Sequence, residues 1–523
     1  MTNLRNAALT AAVAVTVALA SASAVAADGL KDTSSRTDPS LPTVPWLRDG
    51  FPEGLDVPIH KELPLPGGQA LRLDTPVPKA KLAEWKARFR SGQALRYFFI
   101  DIHNRDGRYR KGPGLTGDEF RQVAESGRLP VQELGHVEFI YGFLWQNVRR
   151  YYVAYRLSGD PFYIEQIVQY ARAMDGVLAD HPEAFIPKDK REAYKQKGIT
   201  VDMLPYEPAG GSNLMAHAYS AMLAMEWVKA HPDGPRAAEW TRLATRNLNQ
   251  VARYTPSLLG NQAHPDTGLP VHVHDWLHVL EKYSPWNQCY MTFGMLTAAA
   301  LAMEDYQAIA DTSAYQPTID RYLTVVRAGN AALTRDSETC ILGGKPYLFM
   351  QHGPAFLPEH GNRGYHFRGL LNGHPLFVGG EDIPHSGSTA WNLLFIWENA
   401  GDRAGATDAL CAALINALVD YVMGRPVKDD KGNVYPPNHF YSPWTQANVP
   451  EKNRTLKWFG RLGKIGEGYD GYVVWNPDFR MQMAKWKIRR PRQDLFVHFA
   501  KRVYQVAAAR NAGATDLPLH CAP

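Results

Sequence analysis

Cysteine is scarce in this chain. Its four residues, Cys289, Cys340, Cys411 and Cys521, are widely spaced and form no Cys-x-x-Cys pair. That excludes a disulfide scaffold and a thiolate zinc ribbon, and leaves a single disulfide open but unassigned. Net charge is nearly absent too: 57 Lys plus Arg against 52 Asp plus Glu give +5 over 523 residues. This is too little to mark a nucleic-acid binder and allows only a mild preference for anions. Beyond residue 27 no apolar run approaches the length that crosses a bilayer, so no stable membrane insertion is expected. The phosphate loop Gly-x-x-x-x-Gly-Lys-Ser/Thr, a Gly-x-Gly-x-x-Gly following a strand, the Gly-x-Ser-x-Gly elbow and His-Glu-x-x-His are missing. Nucleotide, dinucleotide, serine-hydrolase and zinc-protease chemistries are thereby set aside, and no cofactor is expected.

What is present begins with a targeting pattern. Residues 1 to 27 carry one early Arg5, an Ala/Val/Leu run and the small residues Ala24-Val25-Ala26-Ala27, which predicts a cleavable secretory signal and a periplasmic or extracellular product. Residues 28 to 78 hold nine prolines and no sustained apolar period, and read as an extended Pro-rich arm laid over the body. Residues 79 to 523 read as one domain.

Within that domain Phe139, Ile140, Phe143, Leu144, Val148, Tyr151, Tyr152 and Tyr155 recur at spacings of three and four, one face of a long helix. Ser158-Gly159-Asp160-Pro161 breaks it, and Ile164, Ile167, Val168, Ala171, Met174 and Leu178 resume the period. Such helical pairs are predicted at about 134–181, 213–254, 286–334, 386–424 and 477–511, after a single helix or pair near 79–102. Strand-like alternation is scarce. Long connections rich in Gly, Pro, His and aromatics separate the pairs, and structureless connections of that length are usually functional. The expected fold class is all-α, with the hairpins closed into an (α/α) toroid rather than an open solenoid. The pairs share no short consensus, and the long connections all fall on one end.

The connections concentrate chemistry. They hold ten of the eighteen histidines, the usual proton-transfer residue near neutrality. His272-Val273-His274-Asp275-Trp276-Leu277-His278 invites a metal assignment, but no acidic partner is placed by its spacing and no metal is expected. Asn213, after Gly210-Gly211-Ser212, fits either a helix N-cap or an amide at a cleft floor. Glu359 to Arg368 and Gly379 to Gly387 pack ionisable groups beside glycines, and include Arg363, Tyr365, Glu381 and His385. Tyr283-Ser284-Pro285-Trp286-Asn287-Gln288 echoes in Tyr441-Ser442-Pro443-Trp444-Thr445-Gln446, either a repeated helix-start device or a pair of sugar-stacking platforms. The 13 Trp and 25 Tyr exceed what a core of this size needs, as in proteins with sugar-lined clefts. Lys485, Lys487, Arg489, Arg490 and Arg492 form a basic run that fits a solvated face or an attractor for a polyanion.

The helical hairpins, the Gly-Asp-Pro turn, the Asn-headed helix and Glu381-Asp382-Ile383-Pro384-His385-Ser386-Gly387 before a Trp-bearing helix resemble the α/α-toroid polysaccharide lyases. The chain is most similar to the alginate and glucuronan lyases of polysaccharide lyase family 38. Related alginate lyases carry Asn-Asn-His at the corresponding helix start; Ser212-Asn213-Leu214 lacks that His, so the imidazole must come from another connection. The resemblance implies β-elimination at a uronic acid in an anionic polysaccharide. Asn213 and Arg363 would neutralise the carboxylate, His274 or His385 would take the C5 proton, and Tyr365 or Tyr290 would protonate the leaving oxygen. Tyr283, Trp286, Tyr290, His278, Glu381 and Trp444 would contact the substrate. The competing readings are an inverting glycoside hydrolase or epimerase on the same toroid, with Glu381 or Asp382 opposite Asp275 or Glu207, and a glycan-binding protein without catalysis.

Overall fold

A computed structural model describes residues 44, 46–47, 50–90, 102–103, 109–110, 138–180, 191–196, 208–259, 271–273, 281–283, 286–335, 337–350, 366–371, 374–378, 383–425, 427–428, 434–435, 440, 442, 444, 467–488 and 494–514. The chain is mostly helical over these residues. The helices are α1 Lys79–Arg90, α2 Glu138–Ser158, α3 Phe162–Asp180, α4 Arg191–Gln196, α5 Pro208–Ala230, α6 Ala237–Leu259, α7 Trp286–Ala310 and α8 Gln316–Arg335. There follow α9 Ile383–Asn399, α10 Asp408–Asn416 with a π-helical continuation Ala417–Met423, α11 Phe479–Lys485, α12 Leu495–Asn511 and a 3-10 helix Glu467–Val474. The five expected pairs are therefore present. Gly159 ends α2 at a φ of 65°, donating to Tyr155 O at 2.7 Å, while the Asp160 carboxylate accepts from Phe162 N at 3.0 Å and opens α3.

The connections are not structureless. They carry antiparallel two-stranded hairpins: β3 Ile102–His103 with β4 Tyr109–Arg110, β5 Val271–Val273 with β6 Glu281–Tyr283, and β7 Glu338–Leu342 with β8 Lys345–Phe349. Two more pair β9 His366–Leu371 with β10 His374–Val378, and β11 Val427–Lys428 with β12 Val434–Tyr435. Ahead of α1, β1 Glu62–Pro64 pairs with β2 Ala70–Arg72. Within residues 50–78, Val57, Leu63, Leu73 and Val77 are buried. Lys501 of α12 donates to Arg72 O and Thr75 O at 2.7 and 2.6 Å, and His60 N donates to Val474 O at 2.8 Å. Residues 1–43 lie outside the described residues, and with them the expected signal. Cys289, Cys340 and Cys411 are buried free thiols, and burial pushes the Cys340 thiol up to about 12. Cys521 lies outside the described residues.

Why particular helices lie inside follows from composition. α5 and α7 carry runs of Ala, Met and Leu around most of their circumference, with charged residues confined to their C-terminal turns, so the greater part of each belongs inside. α6 has a sharply one-sided apolar stripe and packs on α5 from outside. The packing forms a circuit: α2 on α5, α5 on α7, α7 on α9, α9 on the 3-10 helix, that helix on α12, and α12 on α2. α3 and α6 cover α5, and α8 covers α7. Contacts between α2, α5, α9 and α12 advance together along the chains. Tyr152 meets Tyr219 and Arg156 meets Glu226; Arg149 meets Trp391 and Arg156 meets Asn399; Trp391 meets Phe496 and Glu398 meets Arg502. These helices therefore run in one direction. Glu304 near the end of α7 meets Arg403 just past α9, so α7 follows.

In the middle of the circuit the Tyr152 ring meets Tyr219, Phe395, Trp391 and Phe499 at 5.5, 5.2, 6.0 and 6.4 Å, edge to face. Nearer the helix C-termini, Glu398 is fully buried (0%) and accepts from Arg502 Nε and from the Tyr152 hydroxyl, both at 2.7 Å. Arg156, 3% exposed, donates to both Glu226 oxygens at 2.6 and 2.7 Å and to Asn399 Oδ1 at 2.7 Å. Asn399 in turn donates to the Tyr152 hydroxyl at 2.8 Å. Removing one partner from such a set strands the others in low dielectric. Glu398→Gln should lower unfolding free energy by about 3–5 kcal/mol in urea titrations.

A second prediction concerns α12. Trp85 Nε1 donates to Asp494 Oδ1 at 2.8 Å, Lys81 pairs with the same carboxylate, and His498 meets the Trp85 ring edge to face at 5.5 Å. Burial depresses the His498 imidazole to about 4, against the pull of Asp494 and with help from Lys501 and Lys81. A histidine depressed from about 6.5 contributes stability above that pH and loses it as pH falls through about 4. His498→Phe should therefore flatten the fall in melting temperature between neutral pH and pH about 4, measured against the parent chain.

Candidate functional site

The common direction of α2, α5, α7, α9 and α12 gathers their N-termini at one end, where the long connections lead into α5, α7 and α9 and the short α11–α12 connection leads into α12. The short turns that follow α2, α5, α7 and α9, and the Glu398 network, occupy the other. Each aligned helix begins with N–H groups that have no partner within the helix and with the positive end of its dipole.

Two candidates fall in these opening turns. Asn213 is the sixth residue of α5, and His385 the third of α9, directly after Pro384. Because α5 starts at Pro208, Asn213 lies inside the helix and the N-cap reading is corrected; Pro208 is the residue suited to a first helical position. His385 precedes Ser386, whose hydroxyl accepts from Tyr469 of the 3-10 helix at 2.5 Å. A Tyr469–Ser386 link was not foreseen, although Gly468-Tyr469-Asp470-Gly471-Tyr472 carries a three-residue period that signals it.

Three aromatic candidates are packed into the core. Trp286 is the first residue of α7, as a helix-start device requires, and is buried with its ring 6.0 Å from Tyr290. Tyr290 is enclosed as well, donating to Asn330 Oδ1 at 2.6 Å, and burial holds its phenol far above the usual range. Asn330 passes the chain on to Ala404 O at 2.7 Å. Trp444, 4% exposed, lies among Trp46, Tyr421 and Phe349 at 5.4, 6.0 and 6.2 Å. Their described contacts are those of packing residues rather than sugar platforms, because rings enclosed by neighbours present no open face. Tyr290 is likewise removed as an acid candidate.

Tyr283 closes β6, paired with Val271. His274 and His278 follow β5 and lie outside the described residues, as do Arg363, Tyr365 and Glu381. So do Asp275, Asp382 and Glu207 of the hydrolase reading. His366 and Val378 are register partners, so the chain enters β9 and leaves β10 at one end of that hairpin, just before α9. Lys485 and Lys487 are in or just after α11, and Lys485 lies over the Trp486 ring at 5.7 Å; Arg489, Arg490 and Arg492 lie outside the described residues.

Family models, curated proteins and solved structures offer no match to this chain. Its chemistry therefore rests on its own residues. Among the described residues no group of His, Cys, Asp and Glu could hold a metal, and no helix is long and apolar enough to cross a membrane. Gly112 to Gly117 do carry the bare Gly-x-Gly-x-x-Gly spacing after β4, but β4 belongs to an antiparallel two-residue hairpin, not the parallel strand that motif requires. A cavity of about 200 Å³ opens between α3 and α6 beside Glu165, Gln169, Arg172, Arg236, Glu239 and Trp240. Arg236 pairs there with Glu165 and Glu239, near the short turns rather than the gathered N-termini.

Tyr290→Phe should lower stability by about 1–2 kcal/mol, because Asn330 is left buried without its donor. Guanidinium unfolding curves of the two proteins check this; equal midpoints would return Tyr290 to the list of solvent-facing candidates.

Proposed function

We propose that the chain is an exported polysaccharide lyase that cleaves a uronic-acid polymer of the alginate or glucuronan type, on an (α/α) toroid of helical hairpins. The observation that carries this reading is the placement of Asn213 and His385 at the same end of parallel helices. α5 and α9 meet where Tyr219 stacks on Phe395 at 4.4 Å. Asn213 is six residues before Tyr219, about 9 Å along the axis, and His385 ten before Phe395, about 15 Å. Asn213 and His385, from distant stretches of sequence, thus lie toward the same end of the two helices. The closed circuit of α2, α5, α7, α9, the 3-10 helix and α12, with α3, α6 and α8 outside, supports the toroid.

The chemistry needs three functions. The C5 proton of a uronate is weakly acidic only when the neighbouring carboxylate is neutralised, which Asn213, Arg363 and the aligned helix N-termini would supply. His385, or His274, takes the proton; the C5–H electrons form the C4–C5 double bond; the C4–O bond breaks, and Tyr365 protonates the departing oxygen. No metal or cofactor enters this scheme.

The test is to incubate the chain lacking residues 1–27 with alginate, glucuronan, hyaluronan and pectate and to follow the ultraviolet absorbance of a 4,5-unsaturated uronate. Absorbance should rise with at least one polymer, and Asn213→Ala and His385→Ala should each slow it by about a hundredfold or more. New reducing ends without absorbance would mean hydrolysis. Polymer binding without any product would mean a glycan-binding protein.

A further inference from the structure

Gly468-Tyr469-Asp470-Gly471-Tyr472 repeats glycine and tyrosine every three residues, and a 3-10 helix has three residues per turn. The two glycines therefore form one edge of Glu467–Val474 and the two tyrosines the next. The glycine edge is pressed onto α9. A Cβ on Gly468 would lie 2.0 Å from Gly387 O and 3.3 Å from Trp391 N, and one on Gly471 2.4 Å from Leu394 Cδ2. The tyrosine edge is bonded to the same helix: Tyr469 donates to Ser386 Oγ and Tyr472 to Ala390 O, both at 2.5 Å and fully buried. Eight residues exceed the length a 3-10 helix sustains by itself, so α9 holds it in place. The dependence is mutual. α9 opens Ile383-Pro384-His385-Ser386-Gly387-Ser388-Thr389, where serine, glycine and threonine form helix poorly. The turn bearing His385 needs support from outside.

We propose that Tyr469, acting through the Ser386 hydroxyl, is a positioning residue that fixes the opening turn of α9 and with it His385. The assignment rests on the reading of His385 as the base of the elimination. Tyr469 is buried on the flank of the helix, so its role is to hold the turn rather than to touch substrate. Without the phenol the turn loses its bond to the 3-10 helix at Ser386, and the Tyr472–Ala390 bond lies four residues further along. Displacing a base by about 1 Å costs up to about a hundredfold in rate.

The test uses Tyr469→Phe, Ser386→Ala and the double variant, with kcat, KM and the pH profile of kcat on whichever uronate polymer the parent cleaves, and NMR titration of the His385 ring. Each single variant should lower kcat on the order of tenfold with KM changed less than about twofold, and should shift both the pH profile and the His385 titration. The double variant should lose no more than either single one, since both remove one link. Unchanged kcat and titration in Tyr469→Phe, or losses that multiply in the double variant, would overturn the proposal. Should Tyr469→Phe fail to fold, Ser386→Ala alone decides by the same readings. If the parent cleaves no uronate polymer, the lyase reading falls, while the His385 titration still decides the positioning: a shifted curve supports it and an identical one overturns it.

Discussion

The Glu398 carboxylate is the constraint on which the arrangement turns. A buried anion requires partners in fixed places, and its partners come from α2 through Tyr152 and from α12 through Arg502. Arg156 carries the demand on to Glu226 of α5. All these contacts close only when the four helices run in the same direction, with the C-terminal turns of α2, α5 and α9 level with the middle of α12, so one carboxylate sets both direction and register. Desolvation offsets much of the attraction in such a set, so its contribution is read better as a choice among packings than as net stability. The aromatic layer above it supplies burial, and the largely apolar α5 and α7 leave little alternative face to present to water.

Register at the closed end is what gives meaning to the open one. Helices that run in one direction and are held in register by these contacts deliver their N-termini to one end whatever the connections do. The connections then have only to add short β-hairpins between helix starts. The lengths are uneven, 23 residues for α5 and 17 for α9. The difference falls at their C-terminal ends: from the Tyr219–Phe395 contact α5 reaches back eleven residues and α9 twelve, so their starts are nearly level, and α9, opening on weak helix formers, is the one that the 3-10 helix braces.

The helical pairs were legible because their signals are local. An apolar residue every three or four positions and a Gly-Asp-Pro stop are both written within some twenty residues of sequence. The β-hairpins were not legible: strands of two to six residues are too short for alternation to show, and their register is set by a partner across a loop. The start of α5 was misplaced for a related reason, since Gly210 and Gly211 resemble a break while Pro208 sets the first turn. At the site, residue type was readable and companionship was not. Trp286, Tyr290 and Trp444 looked like sugar platforms because an aromatic in a turn-rich stretch carries no mark of what will cover it. Tyr290 meets Asn330 forty residues later, and Trp444 meets Trp46 from the far N-terminal side.

The correction of Tyr290 sharpens the chemistry instead of weakening it. A phenol committed to Asn330 inside the core cannot cycle a proton to a leaving oxygen, because burial penalises its anion and no open face admits the sugar. On the proposed lyase reading the base falls to His385, in the opening turn of α9, and the acid to Tyr365, which lies outside the described residues. β9, β10 and α9 are consecutive, and the hairpin's paired ends bring its entry and exit together just before α9. His385, in a braced helical turn directly after this hairpin, and Asn213, toward the same end of α5, stand in the one register that Glu398 fixes.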